Sequence, residues 1–210
     1  LYSSAASDVY KRQVLILAVV MTLVYLVLQY IIAGAITGKN PFKALRNMLP
    51  AYFTALGTSS SAATIPVSLE STLKNGISKP VASFVIPLCA TIHLSGSMIK
   101  LTLYAFAIVY MANLDISTGT GLGFIFLLGI MMIAAPGVPG GAVMVAAGLL
   151  ADMMGFDDGM VALMIAAYIA IDSVGTAANV TGDGAIAMIV DKFAGDKNDP
   201  SEEESAEATA

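Results

Sequence analysis

The chain has 210 residues, 57% of them hydrophobic and only 12% charged, with a formal net charge of -5. An ordinary soluble domain carries about a quarter charged residues, so this composition excludes one, gives no reason to expect a nucleic-acid partner, and points to an integral membrane protein. The single cysteine, Cys89, excludes an internal disulfide framework and reads as a small packing residue.

The first stretch, LYSSAASDVYKRQ, has neither an apolar core nor the hydrophobic stretch of a signal peptide. It resembles a translated adapter, so residues 1–13 are expected to be non-native and are set aside from the fold. Residues 14–37 form an apolar run of about 24 residues, enough for one spanning helix. Lys39, Lys43 and Arg46 follow in a polar loop, and the segment 41–75 is interrupted by a serine-rich turn ending in Ile65-Pro66. Neither half is long enough to cross. Two short arms meeting at a Ser/Thr tip predict a re-entrant hairpin, tolerated at membrane depth only where protein or water covers its open backbone.

The apolar segment 77–111 is broken by TIHLSGS, with His93, Ser95, Gly96 and Ser97 near its midpoint, which predicts an unwound helix. The segment 118–154 is broken by Pro136, Gly137, Pro139, Gly140 and Gly141, residue types that release backbone groups from helical bonding. It predicts a second hairpin. Residues 159–193 read as one long final helix, and the acidic tail 196–210, with Glu202, Glu203, Glu204 and Glu207, is expected to be disordered and cytoplasmic. Interrupted short segments in corresponding places point to a secondary transporter, whose binding sites form where half-helices meet at the midplane.

Charge supports this layout. Lys39, Lys43, Arg46, Lys74, Lys79, Lys192 and Lys197 fall on one side, whereas the opposite loops hold Asp115, Asp152, Asp157 and Asp158 and neither Lys nor Arg. The positive-inside rule makes the first side cytoplasmic. The serine-rich hairpin then enters from inside and the Pro/Gly hairpin from outside. In the final helix Asp172, Thr176, Asn179 and Asp183 recur at i, i+4, i+7 and i+11, one helical face about 16 Å long. Such a polar stripe faces protein or water and not lipid.

The motifs TSSSAATIPVSLE, IPLCATIHLSGS, GVPGGAVMVAAGLL and NVTGD, in that order, resemble the first hairpin, unwound helix, second hairpin and last helix of the dicarboxylate/amino acid:cation symporter family, the glutamate-transporter homologues. The resemblance covers about residues 14–195 and only the C-terminal transport domain of that family. It implies an all-α polytopic membrane protein with two re-entrant hairpins, an unwound helix and a long final helix. It also implies a secondary symporter, not an enzyme, in the bacterial inner membrane, a homotrimer in the full-length protein. The substrate would be an amino acid or dicarboxylate, with sodium as coupling ion and no cofactor. By the same resemblance Asp172, Thr176 and Asn179, with Ser60, Ser61, Ser97, Val138 and Gly140, bind substrate. Thr91, His93, Ser95, Asn179 and Asp183 would surround the cation, Asp183 giving its carboxylate to sodium.

The departures from the family pattern shape the substrate expectation. Acidic-substrate members carry an arginine where this chain has Gly175, and an alternative arginine of the first hairpin is absent at Thr58 or Ser59. Without a guanidinium to pair a second carboxylate, a neutral amino acid is favoured, and a dicarboxylate stays open if Lys100 reaches the pocket. The family's NMDGT is His93-Leu94-Ser95-Gly96-Ser97 here, so a sodium-ligating aspartate has become Ser95. His93 leaves two readings open, a neutral hydrogen-bonded imidazole or a proton carrier that would make the protein proton-coupled. Lys100 also leaves two: a tethered cation in place of a lost sodium, or a lysine that reaches outward or pairs elsewhere.

Rival classes fare worse. An intramembrane aspartyl protease, the remote alternative, needs two carboxylates sharing a proton, and aspartates eleven apart on one helix do not meet. A serine hydrolase on His93 and Ser95 lacks a nucleophile elbow. A passive channel leaves the hairpins unexplained.

Overall fold

The structure is a computed structural model that describes residues 4–194. The tail expected at 196–210 lies outside the described residues, and of the segment 1–13 the part from Ser4 onward continues the first helix. The described residues are helical, in the order α1 (Ser4–Thr37), α2 (Pro41–Asn47), α3 (Leu49–Thr58), α4 (Ser61–Leu73), α5 (Lys79–Ile92), α6 (Ser95–Met111), α7 (Thr118–Met131), a 3-10 turn (Met132–Ala134), α8 (Gly141–Met154), α9 (Asp158–Ala170) and α10 (Asp172–Ala194).

Local chemistry sets most boundaries. Gly38, at φ 75°, stops α1, and the Asn40 side chain accepts from the amides of Phe42 and Lys43 to start α2 with Pro41 in its first turn. Ser59, in the left-handed region at φ 50°, ends α3, and Ser60 caps α4. Ser117 and Asp157 cap α7 and α9 in the same way.

The stretch Arg12–Thr37 and the α5–α6 stretch Lys79–Met111 are long and apolar enough to cross a membrane. On α1 a single stripe, Ala18, Thr22, Leu26, Tyr30 and Ala33, is buried at i, i+4 and i+3 spacing, while Ile16, Val20, Val24 and Ile31 lie exposed. One face meets protein and the rest suits lipid. The basic residues Lys39, Lys43 and Lys74 line one groove, where Lys39 Nζ donates to the carbonyls of Asn75 (2.9 Å) and Gly76 (2.7 Å). The α1–α2 loop and the end of α4 thus share one face.

The final segment corrects the expectation of one long helix at 159–193. It is two helices, α9 and α10, bent by 61° at Ile171. No proline or glycine marks the bend. The carbonyls left open there accept from the Lys100 ammonium, Ile171 O at 3.1 Å and Asp172 O at 3.2 Å.

Helix α10 packs against α1, α3, α4, α5 and α6. Its buried residues are mostly small, among them Gly175, Ala177, Ala178, Gly182, Gly184 and Ala185, which lets neighbouring backbones approach closely. With α1 to α5 it closes one apolar cluster around Tyr30, Met48, Ile86 and Met188, and α6 to α9 close a second around Leu101, Phe124, Leu150 and Tyr168.

A Cβ at Gly184 would stand 2.7 Å from the Tyr30 hydroxyl and 2.9 Å from Met48 Sδ. Gly184→Val is therefore expected to destabilise the purified protein by about 1–3 kcal/mol through overpacking. Gly148→Ala, with nothing within 4 Å, is expected to be neutral or mildly stabilising. Thermal unfolding in detergent distinguishes them, and equal tolerance contradicts the close approach at α10.

Candidate functional site

The two broken helix pairs meet tip to tip. The Ser60 hydroxyl, which accepts from the Ala63 amide as the cap of α4, also donates to the Gly137 carbonyl at 2.9 Å, and the Ala62 amide reaches the same oxygen at 3.2 Å. A Cβ at Gly137 would lie 2.6 Å from the Ala90 carbonyl, so a side chain there would force the second tip off α5. At the end of that tip Gly140, at φ 74°, turns its amide onto Asp172 Oδ2 at 2.8 Å.

The other Asp172 oxygen, Oδ1, faces Lys100 Nζ at 3.3 Å. Lys100 is fully buried, and its ammonium lies 4.2 Å from the centre of the Tyr168 ring, a cation-π distance. Asp172 occupies the first turn of α10, where a carboxylate also meets the positive end of the helix dipole. The Lys100 stem fills the space that a side chain at position 175 would take: a Cβ on Gly175 would run into Lys100 Cε and Nζ.

One turn further along, Thr176 Oγ1 donates to the Asp172 carbonyl at 3.0 Å. Asn179 serves the start of α6, whose N-cap Leu94 offers no side-chain bond. Its Oδ1 accepts from the Gly96 amide at 2.7 Å and the Ser97 amide at 3.4 Å, and its Nδ2 donates to Ser97 Oγ at 2.9 Å. The unwound backbone is thus answered by the polar face of α10.

Between these groups lies a small cleft of about 10 Å³, room for one water. Of the expected substrate residues, Ser61, Ser97, Val138, Asp172, Thr176 and Asn179 line it, and Ser60 and Gly140 tie its walls to Gly137 and Asp172. Sequence reasoning missed Ser59 and Tyr168, which also line it. Tyr168 sits four residues before Asp172, a spacing that pointed to the same face. Lys and Arg are absent from the lining.

The expected cation residues gather only in part. His93 Nδ1 lies 2.8 Å from Asp183 Oδ1, and His93 Nε2 lies 3.1 Å from Gln29 Nε2. This satisfies a neutral imidazole, with Nδ1–H donating to the carboxylate and Nε2 accepting from the amide. Gly182 makes room, since a Cβ there would meet His93 Cε1 at 2.6 Å and Gln29 Oε1 at 2.7 Å. Among the described residues, Ser95 Oγ and Gln29 Oε1 are buried oxygens without a hydrogen-bond partner. Thr91 is not brought to the group: it is exposed, and its hydroxyl donates to its own helix at Leu88 O. Asn179 faces the cleft. Gln29 has no counterpart in the sequence reading, because a lone amide in a spanning helix gives no spacing signal.

The model of the sodium:dicarboxylate symporter family matches residues 11–193. Excitatory amino acid transporter 1 of Rattus norvegicus is 33% identical over 157 residues, which cover 74% of this chain and 29% of that protein. Neutral amino acid transporter A of Homo sapiens is 30% identical over 148 residues, 70% of this chain and 28% of that protein. Neutral amino acid transporter B(0) of Mus musculus is 29% identical over 174 residues, 80% and 30% respectively. The chain thus spans under a third of the length of these relatives.

Because Lys100 fills the space beside Gly175, position 175 has no room for the arginine that acidic-substrate members carry there. Gly175→Arg is expected to destabilise the protein by about 3 kcal/mol, through overpacking and a second buried cation. Adding Lys100→Ala should regain most of that loss. Thermal unfolding of both variants checks this, and a double variant no more stable than Gly175→Arg alone contradicts it.

Proposed function

We propose a function from one premise: this chain belongs to the sodium:dicarboxylate symporter family. It forms the moving core of a multi-pass carrier that couples uptake of a small substrate to the sodium gradient by alternating access. The observation that carries this reading is the meeting of the two broken helix pairs over a cleft faced by Asp172, Thr176 and Asn179. A site walled by two movable tips can open to either side of a membrane without a continuous pore. The helix pairs are re-entrant, the Lys39, Lys43 and Lys74 face is cytoplasmic, and the host membrane is a bacterial inner membrane.

The cleft lining supports a neutral amino acid. Hydroxyls of Ser59, Ser61, Ser97 and Thr176 and the amide of Asn179 suit a zwitterion and a small polar side chain, while a second carboxylate would find no guanidinium or ammonium in the lining. Asp172 is the carboxylate placed to meet the substrate's ammonium. For the cation, Asp183 supplies the charge, and the unpartnered oxygens of Ser95 and Gln29 are hard donors of the kind sodium takes. Substrate binding under the second tip and cation binding at Asp183 both act on α10, which couples them.

A second reading keeps the fold and changes the ion. The 2.8 Å contact of His93 with Asp183 lets a proton on the imidazole stand where sodium would.

In proteoliposomes an inward sodium gradient is expected to drive accumulation of labelled serine, and alanine or threonine should compete at least about tenfold better than aspartate, the worth of an unmatched carboxylate. Preference for aspartate contradicts the neutral-substrate reading. Accumulation driven by a proton gradient without sodium, and lost in His93→Asn, replaces the sodium reading by the proton one.

A further inference from the structure

We propose that Lys100 is a built-in counter-ion of Asp172, which lets the transport core close and cross the membrane with its substrate site empty. The inference rests on the carrier reading above and adds a residue to its cycle.

The geometry is that of a fixed group. Lys100 has no exposed surface, and its ammonium is held by Asp172 Oδ1, by the carbonyls of Ile171 and Asp172, and by the face of Tyr168. Its stem occupies the space left by the missing side chain of Gly175. It does not line the cleft, so it is not placed to bind substrate directly. It reaches the site only through Asp172.

The consequence concerns the empty carrier. Both Asp172 oxygens are engaged without any ligand, Oδ1 by Lys100 and Oδ2 by the Gly140 amide at the second tip. If the substrate's ammonium were the only positive charge to reach Asp172, the empty core would carry an uncompensated carboxylate into a low-dielectric region, which opposes both closure and crossing. With Lys100 in place that carboxylate is neutralised in every state. The second tip can rest on Asp172, over a cleft of about the size of one water. An arriving amino acid displaces the Gly140 amide, and its ammonium joins Lys100 on a carboxylate that has about four lone-pair sites. Lys100 is thus a positioning residue for the return step, in which the carrier resets without exchanging one substrate for another.

The test compares two fluxes in proteoliposomes containing the whole protein, with sodium on both sides: net uptake of labelled serine into empty vesicles, and exchange of labelled serine for internal unlabelled serine. The wild type is expected to do both. Lys100→Met should cut net uptake about tenfold while exchange stays within about twofold, because the substrate's ammonium replaces the lost charge only in the loaded state. A variant that loses both fluxes is read by a second measurement. Ala142 is buried at 4% exposure in the lining beneath the second tip, so the labelling rate of Ala142→Cys by a membrane-impermeant thiol reagent, without substrate, reports tip opening. Labelling should be about tenfold faster when Lys100→Met is added. An unchanged ratio of net uptake to exchange in a variant that still transports, or an unchanged labelling rate, overturns the proposal. Absence of both fluxes in the wild type sinks the serine-carrier reading instead, and the labelling rates still decide the role of Lys100.

Discussion

The carboxylate of Asp172 joins three parts of the molecule that the chain itself leaves apart. Its Oδ2 takes the amide of Gly140 from the second helix tip, its Oδ1 takes the ammonium of Lys100 from α6, and its backbone opens α10 just past the bend from α9. A buried carboxylate stripped of water is costly unless it is paired and hydrogen-bonded. That cost helps hold the tip down, beside the bonds from Ser60 and Ala62 to the Gly137 carbonyl: removing either donor leaves Asp172 in a medium that solvates it poorly. The second tip is therefore held by a polar contact as well as by the apolar packing of Ala135, Ala142 and Val143 around it.

The same logic extends along α10. Where a helix stops inside the protein it leaves amides or carbonyls open, and at three such places a polar side chain takes them. Asn179 receives the amides at the start of α6, Lys100 the carbonyls at the end of α9, and Ser60 the carbonyl of Gly137. Asp183, lower on the stripe, meets His93 at the end of α5. The breaks are thus satisfied within the chain by the same donors and acceptors that the proposed substrate and cation would engage. Glycines at 96, 175 and 182 permit these approaches; a Cβ at Gly96 would stand 2.7 Å from the Gly175 carbonyl.

The features legible in the sequence are those written as local chemistry. Spacing at i, i+4, i+7 and i+11 put Asp172, Thr176, Asn179 and Asp183 on one face, and TIHLSGS and the Pro/Gly run marked stops that the structure places at Ile92 and between Ala134 and Gly141. The bend at Ile171 was not legible, since no glycine or proline announces it and its open carbonyls are held by a lysine seventy-one positions away. The target of Lys100 was hidden for the same reason: periodicity says that a residue is buried, not which partner it finds. The Thr91 side chain stays apart from the His93–Asp183 pair because, two positions before the helix gives way at His93, it still follows the α5 ladder and is exposed. The apolar composition announced a membrane protein, but only the folded chain shows its buried charges matched from within.

If Lys100 is the counter-ion of Asp172, the two groups are energetic partners in ligand-free protein. A double-mutant cycle on thermal stability, with Lys100→Met, Asp172→Asn and the pair together in ligand-free protein, measures this directly. Each single variant leaves one buried charge unpaired and is expected to cost about 3–5 kcal/mol. The double variant should be more stable than either, with a coupling energy of about 1–3 kcal/mol. Additive losses within about 0.5 kcal/mol would show that the two groups do not depend on each other, and would contradict the account.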